Sequence, residues 1–185
     1  EKESNARCEC FCDTGSLCDR YLAYLAGLGF IGLNTCLINE KYGSYVFIGY
    51  IVTDLELESD TPIKNKCVKC NKCEKACPGN AIDGEFSINA GRCVSYITQL
   101  KKLTEEQTKI LKSQTMVYGC DECQKVCPYN EKASLTPIKE FYENKEPKLK
   151  KEEILNMSNK EFLKKYGDFS FSWRGKATIL RNFDK

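Results

Sequence analysis

Cys67-Val68-Lys69-Cys70-Asn71-Lys72-Cys73-Glu74-Lys75-Ala76-Cys77-Pro78 is the stretch that decides the fold. It is the full C-x2-C-x2-C-x3-C-P run of a protein that holds a [4Fe–4S] cluster. A second run, Cys120-Asp121-Glu122-Cys123-Gln124-Lys125-Val126-Cys127-Pro128, matches it only from the second cysteine onward, and Val117 stands where the first would be. In two-cluster ferredoxins three cysteines of a run hold one cluster and the fourth crosses to the other. That rule assigns Cys67, Cys70, Cys73 and Cys127 to one cluster. It leaves the other with Cys77, Cys120 and Cys123, one thiolate short. Cys93, the one spare cysteine between the runs, completes the set. Two four-iron clusters then account for eight of the thirteen cysteines.

Other uses of these cysteines fit less well. Zinc ribbons also use pairs of C-x-x-C, but a third cysteine at the same spacing followed by x3-Cys-Pro is not their pattern. A disulfide scaffold is disfavoured by the odd count of thirteen and by a length of 185 residues, which can bury a core without staples. Thiolates at this density fit a reducing compartment, so the expected location is the cytoplasm. The chain is 42% hydrophobic and 29% charged, with no apolar run long enough to cross a membrane. It has no histidine, which excludes imidazole as a base, metal ligand or haem ligand. Residues 131–185 carry 13 Lys+Arg against 9 Asp+Glu, net +4; residues 1–130 carry 15 against 17, net −2. A basic C-terminal segment permits a polyanionic partner, although lysine-rich segments are more often solvated helix faces.

Three zones separate along the chain. Residues 1–60 read as part of an α/β or α+β domain. Cys8, Cys10 and Cys12 alternate with Glu9 and Phe11 as in a strand. Asp13-Thr14-Gly15 breaks it, and Ser16 with Asp19 is expected to cap a helix carrying Leu17, Tyr21, Leu22 and Leu25 on one side. A glycine-spaced loop (Gly27, Gly29, Gly32) leads to expected strands at Thr35–Ile38 and Tyr45–Thr53, hinged at Tyr42-Gly43-Ser44. The Gly-x-Gly-x-x-Gly spacing is not a dinucleotide fingerprint, because it leaves a helix and enters a strand rather than the reverse. Close backbone packing, or the approach of a flat cofactor, suits it better. Residues 61–130 are the cluster domain, each cysteine run leading into a short helix, with a polar helix from Thr104-Glu105-Glu106-Gln107 to about Lys112. Residues 131–185 read as a helical, basic tail with a capping box at Ser158 and Glu161. Its aromatics Phe169, Phe171 and Trp173 read as a packed core between helices, or as a stacking surface for bases beside Arg174 and Lys176.

Several segments in register resemble the epoxyqueuosine reductase family. They are Asp13-Thr14-Gly15, Ala26 to Ile38, Tyr42 to Gly49, Thr53-Asp54-Leu55, Arg92 to Tyr96, and Tyr118 to Gln124 with the Cys-Pro that follows. Trp173 to Lys176 and Leu180-Arg181-Asn182 resemble the start of that family's C-terminal helical repeat. The chain departs from the pattern at Leu33, where lysine is usual, at Ser16, where proline is usual, and at Cys12 and Cys18, where aliphatics are common. It begins inside the family's cofactor domain and is expected to be a fragment lacking the front of the cobalamin site, inactive alone.

The resemblance implies an α+β protein. Residues 1–60 would be the C-terminal part of an α/β cobalamin-binding, catalytic domain, followed by a bacterial-ferredoxin-like domain with two [4Fe–4S] clusters and the helical tail. It implies an oxidoreductase of queuosine biosynthesis that converts epoxyqueuosine to queuosine in the tRNA anticodon loop, with cobalamin and two clusters as cofactors. It also implies a low-potential donor of flavodoxin or ferredoxin type and no membrane; the expected state is a monomer. Taking an oxygen from an epoxide to leave an alkene needs two electrons and protons, and a four-iron cluster passes one electron at a time, so two clusters beside a corrin fit the task. Asp13 matches the family's proton donor, a role that calls for burial beside the corrin, whereas on its residue type alone it reads as a turn aspartate. Asn34, Thr35, Phe47, Ile48, Ser95 and Asp121 lie in the segments that line the corrin in the family. Cys8, Cys10, Cys12, Cys18 and Cys36 are expected to serve as small buried hydrophobes. Lys164, Lys165, Arg174, Lys176 and Arg181 are the side chains expected to meet RNA. A plain electron-transfer ferredoxin, which would need only residues 61–130, and a reductive dehalogenase are the alternatives.

Overall fold

The computed structural model describes residues 6–143 and 148–184. It is a mixture of short strands and short helices, arranged so that both flanking segments pack onto the cysteine-rich middle. The first strand, β1 (Cys8–Cys12), pairs antiparallel with β4 (Gly49–Thr53), Cys8 opposite Thr53 and Cys12 opposite Gly49. Between them lie α1 (Asp19–Leu25) and a hairpin of β2 (Phe30–Ile31) with β3 (Leu37–Ile38).

The alternation at Cys8 to Cys12 does form a strand, but the expectation that its cysteines are buried fails. Cys8, Cys10, Cys12 and Cys18 are exposed and Cys36 is half-buried. The cause is architectural: β1 has β4 as its sole partner among the described residues, and neither face of this ribbon is covered. Helix α1 starts at Asp19 with Cys18 as an uncapped N-cap, not at a Ser16 cap. Its buried residue is Ala23, facing β3, while Leu17, Tyr21 and Leu25 stay exposed. The expected strands at Thr35 and Tyr45 are shorter than their β-propensity suggests. Thr35 is left-handed (φ 62°), its carbonyl held by Arg20 Nη1 at 2.7 Å, and residues 45–48 have no ladder partner among the described residues. Close backbone packing explains the glycine loop: a Cβ on Gly29 would lie 2.5 Å from the Ile38 carbonyl oxygen.

The middle segment carries α2 (Lys72–Ala76), α3 (Val94–Ile97), α4 (Glu105–Lys112), α5 (Glu122–Lys125) and α6 (Pro128–Glu131). Helix α4 begins with the expected capping box, Thr104 accepting from Gln107 N at 3.2 Å and Gln107 Oε1 accepting from Thr104 N at 3.0 Å. Its Ile110 and Leu111 close a small core on Val94 and Ile97. Downstream, residues 131–143, ending in α7 (Glu140–Glu143), return to the first segment. Ser134 N donates to the Lys41 carbonyl at 2.7 Å and Phe141 stacks on Phe47.

The C-terminal helices α8 (Lys151–Asn156), α9 (Asn159–Tyr166) and α10 (Lys176–Phe183) are more than a tail. Ile154, Phe162, Tyr166, Phe171 and Ile179 form a core of their own, closed by Val117 and Tyr118 from the cysteine-rich segment. The aromatic stretch therefore divides. Phe171 is fully buried and Phe169 packs beside it, while Trp173 is 57% exposed. Across this joint Asn182, wholly buried, donates from Nδ2 to the carbonyls of Thr98 (2.7 Å) and Val117 (2.8 Å), and its Oδ1 accepts from Arg181. A buried amide with every polar atom satisfied stabilises modestly, but an orphaned carbonyl in its place is costly. We expect Asn182→Ala to lower unfolding stability by about 2–3 kcal/mol. Asn182→Asp, which sets a carboxylate against two carbonyls, should cost more. Urea or thermal unfolding checks both, and an unchanged midpoint for Asn182→Ala would show that the joint does not depend on this residue.

Candidate iron–sulfur site and the adjoining pocket

The first cysteine run folds as a tight coil because its spacers accept left-handed backbone: Lys69 (φ 49°) and Asn71 (φ 57°) turn the chain between Cys67, Cys70 and the start of α2. Asn65 fixes the entrance, its Oδ1 accepting from Cys67 N at 2.8 Å while its Nδ2 donates to the Ile31 carbonyl of β2 at 2.9 Å. At the far end Cys127 is brought over by Tyr129, whose ring meets Phe30 edge-on at 5.0 Å and whose hydroxyl donates to the Lys66 carbonyl. As a result Cys67, Cys70, Cys73 and Cys127 line one pocket, walled by Leu33, Ile38, Val68 and Pro128. These are the four residues that the crossed-ligand rule grouped together. An all-thiolate donor set in an apolar wall suits a [4Fe–4S] cluster. Among the described residues no three Cys, Asp or Glu side chains converge as a single metal ion would require.

The second group gathers by a different route. The turn after Cys77 presses against the residue before Cys93: a Cβ on Gly79 would lie 1.9 Å from the Arg92 carbonyl oxygen, and Arg92 Nε donates to the Gly79 carbonyl at 2.9 Å. Only glycine allows that approach, and it sets the Cys93 segment beside Cys77. Ala81 N donates to Cys77 Sγ at 3.2 Å. Cys120 lies close enough to Cys93 and Cys123 for each to oppose its ionisation. Burial pushes the Cys73 thiol up to about 11 and raises Cys120 and Cys127 as well. Metal binding at Cys73, Cys120 and Cys127 must therefore release protons.

Cys36 and Cys123 share a hydrogen bond that holds the Cys123 thiol protonated and eases deprotonation of Cys36. The turn that carries Cys36 is clamped on the same loop. Asn34, 3% exposed, donates from Nδ2 to the Cys123 carbonyl at 3.4 Å and accepts from Cys36 N at 3.3 Å. Asn34 thus lines the cysteine pocket with its amide engaged by the Cys123 carbonyl and the Cys36 amide.

Asp13, Phe47 and Ile48 come together in an adjoining open pocket, with Cys12, Cys18 and Arg20. Asp13 lies just past the end of β1 in the left-handed region (φ 61°), and it is exposed rather than buried. A simple turn aspartate bonds its own backbone two residues on; the Asp13 carboxylate makes no such bond among the described residues. Gly15 leaves room for the Tyr50 hydroxyl, which a Cβ would meet at 1.6 Å. Phe47 is 81% exposed. Of the other expected cofactor contacts, Thr35 accepts from Arg20, Ser95 accepts through its carbonyl from Thr98 and Gln99, and Asp121 accepts from Gln124 Nε2 at 2.8 Å. Arg20 joins the two regions, since it lines the Asp13 pocket and holds Thr35, the residue between Asn34 and Cys36. The sequence offered no local sign of Arg20, Asn65, Tyr129 or Gln99, because each acts on a partner distant along the chain or outside any motif.

The proposed ligand sets have a sharp consequence. After anaerobic reconstitution we expect about eight iron per chain, as two [4Fe–4S] centres require. Cys93→Ala should retain about half of that iron, since it removes a thiolate from one cluster only. A full complement in Cys93→Ala would refute the sets.

Residues 66–130 match the protein family described as a 4Fe-4S double cluster binding domain. Epoxyqueuosine reductase of Lactococcus garvieae is 43% identical over 175 residues, covering 92% of this chain and 48% of its own length. That of Listeria monocytogenes is 41% identical over 188 residues, covering 98% and 48%. Among solved structures, an epoxyqueuosine reductase with a tRNA-Tyr epoxyqueuosine-modified stem loop superposes with a TM-score of 0.87 at 38% identity, over 98% of this chain and 48% of that one. The Bacillus subtilis reductase, with its catalytic aspartate loop swung out of the active site, gives 0.82 at 35% identity over the same shares. Over nearly its whole length the chain is thus similar, in sequence and in fold, to epoxyqueuosine reductases, and it spans about half the length of the curated relatives it matches.

Proposed function

We propose that this chain supplies the iron–sulfur half and the acid-bearing pocket of an enzyme that reduces epoxyqueuosine to queuosine in tRNA. The observation that carries this reading is the junction between the two regions: the pocket of Asp13, Phe47 and Ile48 is tied through Arg20 and Thr35 to the turn clamped on Cys123. An electron carrier alone has no use for that pocket. A two-electron reduction has use for both parts.

In this reading Cys67, Cys70, Cys73 and Cys127 hold one cluster, and Cys77, Cys93, Cys120 and Cys123 the other. The exposed Phe47 with Ile48 and Val46 offers an apolar wall suited to one side of a flat macrocycle, and Ser95, Thr35 and Asp121 stand in the neighbouring segments. Bound cobalamin would supply the low-valent cobalt chemistry, and the clusters would supply electrons singly. The chain's own residues orient and protonate. Both carbon–oxygen bonds of the epoxide break, an alkene forms, and the oxygen leaves as water after taking up two protons and two electrons. Asp13 is the group placed to deliver a proton to that oxygen. Its left-handed turn frees the carboxylate from backbone bonds, and closure of bound substrate over the pocket would exclude water from it. The tRNA assignment draws on the stem loop bound by the relative. Cytoplasmic location and a low-potential protein donor follow from the same reading.

The test is Asp13→Asn in the complete protein, assayed on tRNA containing epoxyqueuosine. Turnover should fall by about 10²–10⁴, the usual worth of a positioned acid, while iron content and cobalamin binding remain. Unchanged turnover would return Asp13 to the role of a turn residue.

A further inference from the structure

The basic residues first expected to meet RNA are largely committed elsewhere. Lys165 pairs with Glu153, Lys176 donates to the carbonyls of Leu155 and Met157 at the end of α8, and Arg181 donates to the Leu100 carbonyl at 2.5 Å and to Asn182. Lys164 alone of the five lacks a polar or ring partner among the described residues. An electrostatic footprint for a polyanion therefore has to be sought among cations whose charges are not already answered.

Such a group lies along the seam between the cysteine-rich segment and α10. Lys101 and Lys102 in the loop before α4, with Lys109 and Lys112 on α4 itself, are exposed, and no carboxylate or hydrogen-bond acceptor reaches their ammonium groups among the described residues. Lys101 and Lys112 share a pocket with Arg181, Thr108 and Asp184. The Asp184 charge is answered from outside by Lys151, and Glu106 on α4 is held by Arg92. Arg181 contributes a cation fixed in place by its backbone and amide bonds. The bland reading, lysines that favour the C-terminal end of α4, explains Lys109 and Lys112. It does not explain a pocket that collects cations from two segments.

Beside this pocket stands a stacking surface. The Arg174 guanidinium lies 3.6 Å from the centroid of the Trp173 ring, with its buried Nε unpartnered among the described residues. The indole donates to Gln99 Oε1 at 3.1 Å, and Gln99 in turn donates to the Ser95 carbonyl of α3, the helix that starts just after Cys93. Trp173 and Arg181 thus grip adjacent residues, Gln99 and Leu100. An exposed, rigidly held aromatic with a stacked guanidinium, next to unpaired lysines, is the combination that receives an unpaired base and its flanking phosphates. We infer that this seam is an RNA-binding site, with Trp173 and Arg174 taking a loop base and Lys101 and Lys112 taking backbone phosphates. The inference rests on the tRNA reading above and assigns the surface that carries it.

The test uses the full chain with reconstituted clusters and a fluorescent anticodon stem-loop RNA, titrated at several salt concentrations. The Lys101→Ala/Lys112→Ala variant should bind roughly tenfold more weakly at low salt and lower the log–log salt slope by roughly two, about one for each phosphate no longer neutralised. Trp173→Ala should bind roughly tenfold more weakly with an unchanged slope, because stacking carries no counterion release. Trp173→Phe keeps an aromatic face and should recover most of the affinity, which separates stacking from misfolding. Seam variants that bind like wild type, or a weakening that instead follows Lys164→Ala/Lys165→Ala, would overturn the seam and leave the tRNA reading standing. Wild-type protein with no salt-dependent RNA binding would overturn both.

Discussion

Helices of five and four residues cannot hold themselves, and the centre of this structure is the packing of two of them, α2 and α5, against each other. Each is too short to recover the cost of its own nucleation. Each carries one of the cysteines, Cys73 in α2 and Cys123 in α5. Among the described residues there is therefore no large hydrophobic core around these cysteines. Leu33, Cys73 and Ile82 are the buried residues there, with cysteines among their half-buried neighbours. The stability of such a centre has to come from polar side chains reaching in from other segments, and from the metal when it is bound.

Those reaching side chains explain the arrangement of the flanking segments. Asn65 ties Cys67 to β2. Asn34 ties the β2–β3 turn to Cys123. Asn130 accepts from Ser44 N at 2.8 Å and donates to Ser44 Oγ and to the Gln124 carbonyl, which fastens the 39–44 turn to the second cysteine run. The amide of asparagine serves well here because it offers donor and acceptor at once and can satisfy two backbone groups from one position. The same device recurs at the other joint, where buried Asn182 links α10 to Thr98 and Val117. The N-terminal and C-terminal segments are thus both fastened to the cysteine-rich segment by asparagine amides. One supplies the Asp13 pocket and the other supplies the Trp173 surface.

Proximity between the two regions also carries a chemical consequence. The Cys36 thiol lies against Cys123, and the turn that holds it is pinned by Arg20 from the Asp13 pocket. Arg20, which lines that pocket, eases the deprotonation of Cys36 through its charge.

The cysteine spacing alone pointed to a double-cluster domain and to a short helix near each run, because ligand spacing is a local property of the chain. Capping boxes at Thr104 and Ser158 were legible for the same reason: both partners lie within three residues. Tertiary structure decided the rest. Strand propensity at Thr35 and Tyr45 lost to an arginine contact and to the lack of a ladder partner, neither of which is visible locally. The cysteines of β1 looked like core residues and are exposed, because burial depends on what covers a strand and not on what it is made of. The basic tail's charges could not be sorted from sequence, because the carbonyls and carboxylates that engage Lys165, Lys176 and Arg181 lie 12, 19–21 and 81 residues away along the chain. Composition counts charges. Only the folded chain settles which of them remain unpaired.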